Sequence, residues 1–168
     1  MKKLLFFLFA FLIFLIPLVL WPFTSEVFEF NKMVLTYMLT TLIVGVWTIR
    51  CIIERKFIFR RTILDIPLSI FITSQVISTV LSIDPQTSFL GYYSRFNGGL
   101  LSTICYSLFY WAFVSNFELK ETLDLIKVWL ASGVVVSIYA VLEHFGIDKN
   151  VWVQDVQSRV FSTLGQPN

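Results

Sequence analysis

Long apolar runs separated by short polar connectors dominate the chain. After Lys2 and Lys3, positions 4–23 are almost unbroken apolar sequence, roughly 20 residues, which as a helix rising 1.5 Å per residue crosses a ~30 Å hydrocarbon core. A secretory signal peptide has a similar charged start, but its apolar region is about 7–15 residues and ends at a small-residue cleavage site. Pro22-Phe23-Thr24-Ser25-Glu26 offers no such site, so the run reads as an uncleaved first span. Further runs over about 33–50, 63–81, 98–114 and 125–143 give five candidates in all. The pattern predicts an all-α polytopic transmembrane helix bundle, one membrane domain over 1–168, with a polar loop at 82–97 and a polar segment at 144–168.

Charge gives this bundle an orientation. With the amino terminus inside, Lys2, Lys3, Arg50, Arg55, Lys56, Arg60, Arg61, Lys120 and Lys127 are cytoplasmic, and Lys32, Arg95, Lys149 and Arg159 lie outside. Nine of the 13 basic residues then satisfy the positive-inside rule, most of them within reach of the second and third spans. The chain is expected to be a multi-pass membrane protein. Trp21, Trp47, Tyr92, Tyr93, Trp111, Trp129 and Trp152 fall at or just beyond span ends, where ring and polar atom are both satisfied.

Composition agrees. The 168 residues are 57% hydrophobic, 17% aromatic and only 14% charged, with a mean hydropathy of +0.77; soluble domains run near a quarter charged. A small domain has too little interior to hide 18 Phe, so an ordinary soluble enzyme is excluded. A net charge of +2 without a basic face gives no nucleic-acid footprint. Cys51 and Cys105 fall at an inner span end and within a span, away from the oxidising side, and read as small apolar fillers. No Cys/His metal spacing, Gly-rich phosphate loop or internal repeat occurs.

Polar residues inside the apolar pattern are few. In the third run Ser74, Ser78 and Ser82 repeat every four residues beside Gln75 and Thr79, a stripe suited to helix packing or to the wall of a hydrated cavity. Asp65 followed by Pro67 reads as a helix start, and Gly133 with Ser137 as a close-packing pair. His144, the only histidine, reads as an interfacial polar residue.

Two outer segments concentrate the remaining chemistry. The first runs Asp84-Pro85 to Gly91-Tyr92-Tyr93-Ser94-Arg95-Phe96-Asn97-Gly98-Gly99. Its tyrosines, guanidinium and amide suit a glycan or lipid-phosphate headgroup, and they equally suit an interfacial connector. The second places Arg159 before Val-Phe-Ser-Thr-Leu and a Gly165-Gln166-Pro167-Asn168 turn.

These two segments resemble the O-antigen ligase and Wzy polymerase superfamily of bacterial membrane glycosyltransferases, in which an arginine precedes a small-residue stretch and a Gly-Asn-Pro-Asn-like turn. Gln166 replaces the usual Asn. The resemblance implies transfer of a glycan from a polyprenyl-diphosphate carrier to an acceptor hydroxyl on the outer membrane face, without nucleotide sugar, metal or other cofactor. It implies Arg159 as a diphosphate binder; Arg95, Tyr92, Tyr93 and Asn97 are the accompanying candidates for substrate contact, and no catalytic base is assigned. Partners are membrane lipids, the lipid-linked glycan and its acceptor. The family continues past this point with further spans and a large outer loop, so the chain is expected to be the amino-terminal portion of a longer protein and inactive by itself. The alternatives are a transporter fragment and a non-catalytic membrane subunit.

Overall fold

The computed structural model describes residues 1–21, 26–147 and 160–165, and among them it is helical with no strand. Helices α1 (Lys2–Leu15), α2 (Glu29–Ile53), α3 (Asp65–Val80), α4 (Pro85–Leu90), α5 (Leu100–Asn116) and α6 (Leu119–His144) are joined by short connections. All but α4 coincide with the five apolar runs. Two of them, α2 and α6, are long and apolar enough to cross a membrane.

Local chemistry sets the ends. Glu29 in the first turn and Arg50 in the last turn of α2 complement its dipole. A reciprocal capping box between Glu118 and Glu121 opens α6. Asp65 starts α3 as the sequence indicates: its carboxylate accepts from the Thr62 amide at 2.8 Å and hydroxyl at 2.9 Å. The first run departs from expectation. Its regular helix stops at Leu15, continues as a 3-10 turn over Ile16–Leu18, and is extended at Val19. Pro17 causes the break, because its ring nitrogen has no proton to offer the carbonyl four residues back.

The helices alternate in direction. One end of the bundle gathers Lys2 paired with Glu121, Arg50 Nη1 on Asn116 Oδ1 at 2.8 Å, and the Arg60 amide on Ser115 Oγ at 3.1 Å. The amino terminus and the Arg50–Arg61 connection therefore share an end, and the 82–99 loop lies at the other. Helix α1 sits centrally against α2 and α6, α5 lies beside α2, and α3 packs on α5. Leu5, Phe9 and Leu12 of α1 meet Leu39, Ile43 and Trp47 of α2, with Ala112, Phe117 and Leu125 completing the core. Their spacing of three and four residues is one helix face. The Phe9 ring touches Phe109, Phe113 and Phe117 at centroid distances of 4.7, 5.7 and 5.1 Å, within the range favoured by aromatic pairs.

Outside this seam much of the surface is apolar, with rows of exposed Leu, Ile, Val and Phe on α1, α2, α3 and α6. Helix α3 has no buried residue at all. Two packing expectations are corrected here. Gly133 and Ser137 point away from the bundle, and α6 buries Leu125, Ser132, Val136 and Glu143 instead. On α3 Ser74 and Ser78 are exposed, while half-buried Gln75 faces α5 across a shared cleft and the Thr79 hydroxyl donates to Gln75 O.

Candidate functional site

The loop at the end away from the Arg50 connection is a closed, hydrogen-bonded unit. Asp84 caps α4 by accepting from the Thr87 amide at 3.2 Å and from its hydroxyl. These bonds hold the Asp84 carboxyl below the usual carboxylate range. After α4 the chain folds back: the Tyr92 amide donates to Asn97 O at 3.1 Å, and the Phe96 amide to Tyr92 O at 2.8 Å. Gly91 has φ +89° and ψ −172°, and a Cβ there would lie 2.3 Å from Asn97 O. Only glycine fits that backbone and that closeness. The loop is docked on α2 by Tyr37, whose hydroxyl donates to Phe96 O at 2.6 Å, and by Phe30 against Phe96.

This fold brings Tyr92, Arg95 and Asn97 to one polar pocket of about 380 Å³, completed by Gly98 and by Glu29 of α2. Arg95 Nη1 lies 3.3 Å from Glu29 Oε1, and the Arg95 guanidinium stands 6.0 Å from the Tyr92 ring centre. Tyr93 lies against Tyr92 outside the pocket and is well exposed. The arrangement offers donors, a carboxylate acceptor and an aromatic face, the groups that bind hydroxyls and ring faces.

Asn97 and Gly98 also form the mouth of a second space, an apolar cleft of about 700 Å³ between α3 and α5. Leu64, Pro67, Leu68 and Phe71 make one wall, and Ser102, Thr103, Ser107 and Tyr110 the other. The hydroxyls of that second wall are spent on their own helix: Ser102 and Thr103 donate to Gly99 O, and Ser107 to Thr103 O. The polarity of these three hydroxyls is thereby taken up, and Gln75, Asn97 and the tyrosines Tyr106 and Tyr110 are the other polar side chains lining the space. The cleft is closed at its far end, where Thr62 bonds Tyr110 and Trp111 Nε1 donates to Asp65 at 3.0 Å.

Arg159 lies outside the described residues, as do Gln166, Pro167 and Asn168. The stretch between them, however, is described and buried. Phe161, Ser162 and Thr163 enter the bundle, where the Ser162 amide donates to Glu143 Oε2 at 2.6 Å and its hydroxyl to Val136 O at 3.0 Å. Ser162 is thus held between Val136 and Glu143, alongside the last two turns of α6. The Thr163 hydroxyl donates to Pro17 O at 2.7 Å, and Lys32 Nζ donates to Thr163 O. Non-helical backbone at this depth is tolerated because protein groups take up its polar atoms.

Sequence reasoning missed Glu29, Lys32, Tyr37 and Glu143. Glu29 and Lys32 were legible as charges abutting a span, and Glu143 as the one acid within the last apolar turn; Tyr37 carried no signal. Comparison with protein-family models, curated proteins and solved structures finds no match. Among the described residues, no group of three or more His, Cys, Asp and Glu side chains is placed to hold a metal ion.

Proposed function

We propose that the chain serves in membrane glycan transfer of the O-antigen ligase and polymerase type. In this reading α1, α2, α3, α5 and α6 are five spans, the amino terminus is cytoplasmic, and the pocket faces the outer side of a bacterial plasma membrane. One observation carries it: the polar pocket of Glu29, Tyr92, Arg95 and Asn97 shares its rim with an apolar cleft that opens along the bundle. A lipid-linked sugar has that shape, with a polar head and a long apolar tail.

The chemistry asks for two things. As the acceptor hydroxyl attacks the anomeric carbon, the bond to the diphosphate oxygen breaks, and guanidinium groups stabilise the charge that leaves. The hydroxyl proton passes to a base. Arg95 and Arg159 are assigned to the first task, with Tyr92, Tyr93 and Asn97 contacting the glycan; no residue is assigned to the second. A transport role is the second reading, favoured by Gln75, a costly group to place at membrane depth.

In the intact protein, Arg95→Ala and Arg159→Ala should each abolish transfer while leaving membrane insertion intact. Normal polymer or ligated product from both variants would sink the assignment. Reporter fusions after Glu118 should report cytoplasm; an outside signal there overturns the orientation.

A further inference from the structure

The last turn of α2 and the connection to α3 carry five cations, Arg50, Arg55, Lys56, Arg60 and Arg61. Only Arg50 is used internally, on Glu54 Oε1 at 2.7 Å and Asn116 at 2.8 Å. The other four are exposed and, among the described residues, none has a carboxylate within ion-pair distance. The nearby acids are engaged elsewhere: Glu54 by Arg50, and Asp65 by Thr62 and Trp111.

The segment is also held in shape. Trp47 Nε1 donates to Ile58 O at 2.9 Å, the Ile58 amide points to Cys51 Sγ at 3.5 Å, and the Arg60 amide binds Ser115 Oγ. Helix α2 ends with the Arg55 amide on Ile52 O and the Lys56 amide on Cys51 O, a turn that puts Arg55 at φ +47°. Glycine is the usual occupant of that position. Beside the cations, the rings of Phe57 and Phe59 stack at 5.8 Å with Phe57 79% exposed, next to exposed Ile52, Ile53 and Ile63.

We infer that Arg55, Lys56, Arg60 and Arg61 form a built site for an anionic phospholipid headgroup, with Phe57 and Phe59 inserted among its acyl chains. Charge complementarity selects the ligand: four exposed cations on a hydrogen-bonded backbone attract anionic phosphodiester headgroups, and guanidinium groups bind phosphate oxygens two at a time. The stacked rings and isoleucines require the phosphate to arrive on an apolar body, as on a lipid. This surface lies at the opposite end from the polar pocket and does not depend on the glycan reading.

The test uses the purified full chain in neutral detergent, titrated with a fluorescent phosphatidylglycerol and read by anisotropy, with unlabelled phosphatidylglycerol, phosphatidylcholine and inorganic phosphate as competitors. Phosphatidylglycerol should compete, and the other two should not. Each cation near an anionic lipid surface contributes about fivefold in affinity, so Arg60→Gln with Arg61→Gln should weaken binding roughly 25-fold. Arg55→Gly separates binding from folding. It should leave thermal stability unchanged or raised, because glycine suits the left-handed backbone, yet weaken binding about fivefold. Equal affinity for both phospholipids, competition by phosphate matching that by lipid, or unchanged binding in the double variant overturns the site.

Discussion

Gly91 and Gly98 bracket the loop that carries Tyr92, Arg95 and Asn97, and with Gly99 they permit a graded test of what holds the pocket. At Gly98 (φ +83°) an added Cβ meets nothing within 4 Å, so alanine costs only the left-handed backbone, about 1–2 kcal/mol. At Gly99 the backbone is ordinary, with φ −93°, but the Cβ would lie 2.3 Å from the Gly91 nitrogen, and the two strands of the loop must separate. Gly91 suffers both effects. Its backbone region is essentially restricted to glycine, about 1–3 kcal/mol, and displacing Asn97 O breaks the Tyr92 amide bond, about 1 kcal/mol more. Gly91→Ala should therefore cost about 2–4 kcal/mol of loop stability, raising the open population roughly 30- to 1000-fold. Amide hydrogen exchange at Tyr92 and Phe96 reads that opening directly, with amides of the α1–α2 seam as an internal control. Protection should fall most in Gly91→Ala and least in Gly98→Ala. Equal exchange in these two variants would refute the claim that close approach to Asn97 shapes the pocket.

Other consequences concern the buried polar links. Glu143→Leu removes the acceptor of the Ser162 amide and should destabilise the chain by about 1.5–3 kcal/mol, seen as a lower melting temperature and faster proteolysis near residue 160; Glu143→Gln, which retains an acceptor, should lose less. Trp111→Phe deletes the Nε1–Asp65 bond at the closed end of the cleft and should cost about 1–3 kcal/mol, measurable by thermal unfolding in detergent. Because the Asp84 carboxyl is held below its ordinary value by Thr87, its cap on α4 is present at neutral pH and is lost as pH falls through that lowered value, below about pH 4. The Thr87 amide shift, followed by NMR, should titrate there, and Asp84→Asn should abolish the titration.

Helix placement was largely legible because it depends on local properties. Apolar length marks α2 and α6, and Asp65 with Pro67 marks the start of α3. The stop in α1 was encoded by Pro17, yet unbroken apolar sequence hid it. The polar sites were legible only in part. Tyr92, Arg95 and Asn97 stand close in sequence, and Gly91 folds them together locally, so composition sufficed to nominate them. Glu29 joins them across 66 residues, a distance over which no spacing rule operates.

The sequence by itself thus determined that the chain is helical, that much of its surface is apolar, and roughly where its longer helices lie. Apolar runs and end signals act within a few turns, and they need no partner to be read. Tertiary structure decided which faces meet. In an apolar chain nearly every face is greasy, so hydrophobicity cannot choose among them, and the choice falls to shape and to scarce polar atoms. Phe9 fits the row of Phe109, Phe113 and Phe117. Gln75, not Ser74, turns toward α5. Ser162 and Thr163 enter the bundle because Glu143, Val136, Pro17 and Lys32 converge there to satisfy them, and a buried polar group goes only where its hydrogen bonds can be made.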